Sequence, residues 1–230
     1  MSNIAVIPAR GGSKRIYKKN VKSFAGKPII AYSIETALQS GLFDEVMVST
    51  DDEEIASVAK KFGAKVPFYR SRKNSNDYAA LADVVIEVAK DYEQYGKKYK
   101  YICCILPTAP FVNDKLIKES FNKLINSDFD SVFPVVKYSY PIQRALHFVS
   151  ENIQMIWPEN FTMRSQDLAD SYHDAGMFYW IEIDSLYMHK RLWTEKSGAI
   201  IVSEIMAHDI DTYEDWKVAE VKYKMLNEIK

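Results

Sequence analysis

Residues 4–20, Ile-Ala-Val-Ile-Pro-Ala-Arg-Gly-Gly-Ser-Lys-Arg-Ile-Tyr-Lys-Lys-Asn, constrain this chain more than any other stretch. Ile4, Val6 and Ile7 form an apolar, β-branched run of the length of a buried strand. Pro8 ends the ladder, and Gly11-Gly12 supply a backbone able to take positive φ and lie close to a ligand. Arg10, Lys14, Arg15, Lys18 and Lys19 then place five cations within ten residues. A strand opening into such a loop suits a polyphosphate, cradled by backbone N–H groups and neutralised by Lys and Arg. The bland alternative is a solvated basic turn after an edge strand. Neither G-x-x-x-x-G-K-[ST] nor G-x-G-x-x-G occurs here, which argues against a Walker loop and the usual dinucleotide site.

The following segments alternate strand and helix. Pro28 opens a helix carrying Ile30, Ile34, Ala37 and Leu38 toward a sheet, closed by Gly41. Residues 45–49 read as a strand, and Asp51 with Glu54 forms a capping box for a helix bearing Ile55, Val58, Ala59 and Phe62, ended by Gly63. A helix with Leu81, Val84, Val85, Val88 and Tyr92 follows, with Asp77 as its cap. Residues 101–106 are continuously apolar, a central strand, and 114–127 a helix. Residues 130–136, 178–183 and 197–204 read as further strands. This grammar predicts an α/β fold with a doubly wound, mostly parallel sheet, whose ligands bind beyond the strands' carboxyl ends. Between 137 and 172 the rhythm breaks, and aromatic residues lie scattered among polar ones; such a segment often covers a partner, the alternative being an excursion folded on its own subunit.

A chain of 230 residues suits one α/β domain. Thirty basic residues against 31 acidic ones leave no excess charge for a nucleic-acid or membrane surface. No signal-peptide pattern or membrane-length apolar run is present, so a soluble cytoplasmic protein is expected. Cys103 and Cys104, adjacent in an apolar run, read as core residues, and the four histidines show no metal spacing. Asp209 and Asp211 flank Ile210, so an extended backbone would turn both carboxylates one way, a plausible Mg²⁺ site beside a phosphate loop. Thr212 would cap the closing helix.

The motif IPARGGSKRIYKKN resembles the signature of the cytidylyltransferases that activate nine-carbon α-keto acid sugars with CTP, and the resemblance spans nearly the whole chain. Arg15 and Tyr17 stand where the sialic acid enzymes usually have Gly and Pro. The resemblance implies a nucleotide site at Ala9, Arg10, Gly11, Gly12, Ser13, Lys14, Asn20, Arg70, Asp77, Ala79 and Ala80, with Ala80 replacing the usual Ser beside the cytosine. It implies a sugar site at Thr108, Gln143, Arg144, Arg164, Gln166, His173, Asp174 and Tyr179, where Arg144 and Arg164 suit a carboxylate through their guanidinium forks. Asp209-Ile210-Asp211 matches the family's metal motif. Segment 137–172 corresponds to an arm that swaps over a second subunit, implying a homodimer.

Leu106, where sialic acid enzymes commonly have Gln, and the segments around Arg144 and Arg164 resemble the pseudaminic acid branch; sialic and legionaminic acids are the alternatives. The expected reaction is attack of the sugar's anomeric hydroxyl on the α-phosphate of CTP with release of pyrophosphate, served by Arg10, Lys14, Lys19 and Asp211. A non-catalytic nucleotide-sugar sensor on the same fold is the alternative from another class.

Overall fold

The computed structural model describes residues 2–228. Strand β1 (Asn3–Pro8) is buried throughout, and after the cationic loop a small hairpin, β2 (Ser23–Phe24) with β3 (Lys27–Pro28), leads into α1 (Ile29–Ser40). Strand β4 (Glu45–Ser49) and helices α2 (Glu53–Lys61) and α3 (Leu81–Gln94) follow. Next come β5 (Tyr101–Ile105), α4 (Asp114–Ile125) and β6 (Ser131–Lys137). The irregular segment carries its own hairpin, β7 (Leu146–Val149) and β8 (Asn152–Met155), before β9 (Tyr172–Asp174). The chain closes with β10 (Phe178–Glu182), α5 (Ile183–His189), β11 (Ser197–Val202) and α6 (Tyr213–Glu228).

The main sheet runs β11-β6-β10-β5-β1-β4, with β9 paired to β6. Strand β1 is parallel to β4 and β5, and β11 to β6, whereas β10 is antiparallel to β5 and β6 and β9 to β6. The sheet is thus mainly parallel, with two reversed strands that the sequence pattern did not distinguish. Side chains alternate across it. Ala5, Ile7, Cys103, Ile105 and Trp180 pack with α1, α2, α4 and α6, while Ile4, Val6, Cys104 and Ile181 pack with α3 and α5. Cys103 and Cys104 therefore serve opposite core layers, and burial raises both thiol pKa values, that of Cys104 to about 12.

Three local expectations are corrected. Asp52, not Asp51, caps α2, accepting from Ile55 N at 2.9 Å. Helix α3 starts after Ala80 with no side-chain cap, so Asp77 does not cap it. Leu38 is 44% exposed and lies off the core face of α1. Thr212 and Asp215 do form a reciprocal cap at the start of α6, with Asp215 N donating to Thr212 Oγ1 at 3.2 Å and Thr212 N to Asp215 Oδ2 at 2.7 Å.

Candidate functional site

The carboxyl ends of β1, β4 and β5 meet at one rim. Ala9, buried, donates its N–H to the Ser49 carbonyl at 2.9 Å, continuing the β1–β4 ladder one residue past the strand. The next residues leave the sheet as a loop. Gly11 N donates to Asp51 Oδ1 at 2.9 Å, which ties the loop to the β4 exit. Gly11 is needed for proximity, not for positive φ: a Cβ there would lie 2.7 Å from Asp52 Oδ2, and neither Gly11 nor Gly12 has positive φ. Asn20, 5% exposed, donates its side-chain N–H to the Arg10 carbonyl at 3.0 Å and fixes the loop from within.

This loop lines a cavity of about 180 Å³ with Pro8, Arg10, Ser13, Lys14, Arg15, Ile16, Lys19 and Asn20, opposite Pro107 and Thr108 from the β5 exit. Its cations are paired from two sides. Arg10 donates to Asp77 Oδ1 at 2.5 Å and Lys14 to Asp77 Oδ2; these two bonds, Lys14's first, hold the Asp77 carboxyl below its usual pKa. Arg15 donates to Asp211 Oδ2 at 2.6 Å, while Lys19 donates to the Ile210 carbonyl at 2.7 Å and lies 3.5 Å from Asp211 Oδ1.

Arg70 is 8% exposed, and its guanidinium is spent on Ser49, donating to Oγ at 3.0 Å and to the carbonyl. In this conformation it braces the rim. Ala79 and Ala80 stand in the stretch ahead of α3, partly and fully exposed, beside Asp77.

A second cavity, about 600 Å³, lies at the same β5 exit, where Leu106 lines it and the next residue, Pro107, lines the first. It is lined by Leu106, Val136, Ala175 and Gly176 on its apolar side and by His173, Asp174, Tyr179, Glu204, His208, Asp209 and Lys222 on its polar side. Asp174 is fixed here: Tyr179 Oη donates to its Oδ2 at 2.5 Å, Gly176 N to its Oδ1 at 2.8 Å, and His173 Nδ1 to its carbonyl at 2.8 Å. Burial, then the bond to Asp174, raises the Tyr179 pKa, so the phenol stays protonated. His208 Nε2 is buried with no hydrogen-bond partner among the described residues, and burial, with Lys222 next, lowers the His208 pKa.

The remaining residues expected at the sugar lie elsewhere in the arm. Arg144 donates to the Met163 carbonyl at 2.7 Å and Arg164 to Asp167 at 2.7 Å. Gln143 donates to the Ala169 carbonyl at 2.9 Å, and Gln166 lines a separate arm cavity of about 420 Å³. One subunit does not bring these four to the rim.

A family model described as Cytidylyltransferase matches residues 4–215. The chain is 41% identical to a pseudaminic acid cytidylyltransferase of Campylobacter jejuni, covering 99% of each sequence. It is 32% identical to a CMP-N,N'-diacetyllegionaminic acid synthase of Legionella pneumophila, covering 96% of this chain and 95% of that one. This chain is a member of the CMP-nonulosonate cytidylyltransferase family. Its fold is also that of a CMP:2-keto-3-deoxy-manno-octonic acid synthetase solved with CTP, at TM-score 0.72 and 18% identity over 99% of this chain and all of that one.

In this cytidylyltransferase the metal motif fits a hard divalent cation in donor chemistry. Ile210 is buried, Asp209 is exposed on the second cavity and Asp211 is half-buried against Arg15 and Lys19. Among the described residues no group of three or more His, Cys, Asp or Glu could close around an ion unaided. Phosphate oxygens and water would have to complete such a site, as Mg²⁺ commonly requires. Sequence reasoning missed Glu204, His208 and Lys222. They share no motif, and Lys222 of α6 reaches the 204–208 segment by donating to the Glu204 and Ala207 carbonyls at 3.2 Å.

Proposed function

We propose that this cytidylyltransferase transfers CMP from CTP to the anomeric hydroxyl of pseudaminic acid and releases pyrophosphate. The observation that carries this reading is the convergence of Arg10, Lys14, Arg15 and Lys19 on one cavity at the carboxyl rim of a mainly parallel sheet. Full-length identity of 41% to a pseudaminic acid cytidylyltransferase supports the choice of sugar, as does Leu106 on the apolar wall of the larger cavity.

The triphosphate lies along the loop, where backbone N–H groups and the four cations neutralise it and align the α-phosphate for in-line attack. Arg10, Lys14 and Lys19 stabilise the charge that gathers on the leaving pyrophosphate. Asn20 and Asp51 keep the loop in this shape through their bonds to Arg10 and Gly11. Cytosine sits toward residues 77–80, where main-chain groups read it. The sugar occupies the larger cavity, oriented by the fixed pair Asp174–Tyr179, with Thr108 between the two substrates. Asp209 and Asp211 would hold a divalent cation, Mg²⁺ in our reading, which would supply charge neutralisation at the phosphate and lower the pKa of a bound hydroxyl.

The chain acts as a single nucleotidyltransferase domain with residues 137–172 as an arm that covers a second copy, in the cytoplasm and without nucleic-acid or membrane partners. The arm exposes Tyr140 at 83%, Phe148 at 73% and Phe161 at 73%, which supports a homodimer. Among the described residues no helix is long and apolar enough to cross a membrane. Pyrophosphate release, measured with CTP, Mg²⁺ and either pseudaminic or N-acetylneuraminic acid, tests the reading. Release with pseudaminic acid supports it, release with neuraminic acid alone moves the sugar, and CTP binding without release with either overturns the catalytic reading.

A further inference from the structure

Asp77 lies in the stretch ahead of α3. It caps no helix, and each of its carboxylate oxygens is taken by one cation of the phosphate loop 67 or 63 residues away in sequence. Arg10 and Lys14 both line the smaller cavity, and the N–H groups they give to Asp77 are those a phosphate oxygen would take. The side chains are 35%, 78% and 38% exposed for Arg10, Lys14 and Asp77, so water reaches the pairs and they break at small cost.

We propose that Asp77 is a displaceable counter-ion, holding Arg10 and Lys14 until a polyphosphate replaces it and thereby setting the affinity of every ligand that needs those two cations. This rests on reading the loop as a polyphosphate site. Without Asp77, Arg10, Lys14 and Arg15 would crowd like charges at the cavity mouth. A bound triphosphate supplies several negative charges where Asp77 supplies one, so the exchange favours the nucleotide. Its cost is a constant factor: a ligand binding only the open form loses apparent affinity by the open fraction, whatever else it contacts. A ligand without phosphate escapes that factor. Asp211, by contrast, pairs with Arg15 and Lys19 and belongs to the metal motif, so Asp77 alone acts purely as a stand-in for the ligand.

The test compares wild type with Asp77→Asn and Asp77→Ala, titrating inorganic tripolyphosphate and CTP by calorimetry and cytidine by NMR. Removing the charge should tighten tripolyphosphate and CTP by a common factor of about three- to tenfold at low salt. That factor should shrink as salt screens the exposed pairs. Cytidine affinity should not change. Unchanged or weaker tripolyphosphate binding overturns the proposal, and cytidine weakening in step with CTP assigns Asp77 to the base instead. If neither wild type nor variants bind tripolyphosphate, the phosphate reading of the loop falls as well.

Discussion

The cationic loop and the arm are both rich in groups expected to touch ligand, yet they are built in opposite ways. The loop is finished within one chain. Its glycine fits under Asp52, its carbonyl is held by Asn20, and its four cavity-lining cations find carboxylates from two distant segments. The arm is unfinished. Arg144 and Arg164 are satisfied by their own neighbours and line neither rim cavity, while Leu146, Phe148, Val149 and Ile153 of its hairpin are exposed. Groups that work inside a subunit are pre-positioned by the core beneath them. In the proposed dimer, the arm's groups would instead be ordered by the second subunit.

Asp211→Ala should produce the largest effect on the loop side. Removing a carboxylate that holds Arg15 and Lys19 and belongs to the metal motif should lower kcat of pyrophosphate release by about 10²–10³-fold. Stopped-flow or coupled phosphate assays measure this. An unaffected kcat would break the view that the loop is complete within one chain.

Complementation tests the arm most directly. Arg144→Ala and Asp211→Ala should each be inactive or nearly so. Co-expressed at equal levels, they should recover about a quarter of wild-type turnover, because half the dimers carry one intact site built across subunits. No recovery would place Arg144 in its own subunit's site.

Replacing Phe148 and Phe161 together by Asp should come next. Both are exposed, so the subunit should stay folded while sedimentation velocity shows monomers that still bind CTP. Gly11→Ala sharpens the loop side instead. Its new Cβ must push Asp52 at the α2 cap, costing about 1–3 kcal/mol of stability by denaturant titration and weakening CTP binding.

The smallest effect concerns a reference point outside both regions. Burial opposes ionisation of Glu45, but bonds from Lys97 at 2.8 Å, Tyr92 and Lys65 at 3.1 Å outweigh it and lower its pKa. A carboxyl lowered on folding stabilises the protein fully above its unfolded pKa of about 4.3, and that stability is lost as pH falls through the lowered folded value. Glu45→Gln should therefore reduce Tm at pH 7 and lessen its drop at acid pH, with CTP affinity unchanged. A change in CTP affinity would show that the far edge of the sheet couples to the rim.

How much was legible can be followed residue by residue. That Lys14, Lys19 and Asn20 line one cavity could be expected because they belong to seventeen consecutive positions, 4–20, and consecutive residues cannot be far apart. Ile210, expected between two like-facing aspartates, is fully buried, while Asp209 lines the larger cavity and Asp211 pairs with Arg15 and Lys19. Asp77 reads both as a cap for α3 and as a nucleotide contact; α3 begins after Ala80 without it, and its carboxylate pairs instead with Arg10 and Lys14 of the loop. Gly11 was read through its freedom in φ, when its real constraint is a neighbour from 41 residues later.

The sequence by itself determined the alternation of strands and helices, the cationic loop and the buried Ile210 between two aspartates, since each depends on local periodicity or on neighbours in the chain. The reversal of β9 and β10, the pairing of the loop's cations with Asp77 and Asp211, and the gathering of Glu204, His208 and Lys222 around one cavity were decided only by the tertiary structure. These depend on segments tens to hundreds of residues apart, and which of them meet is chosen by packing two core layers against one sheet, a condition no local window contains.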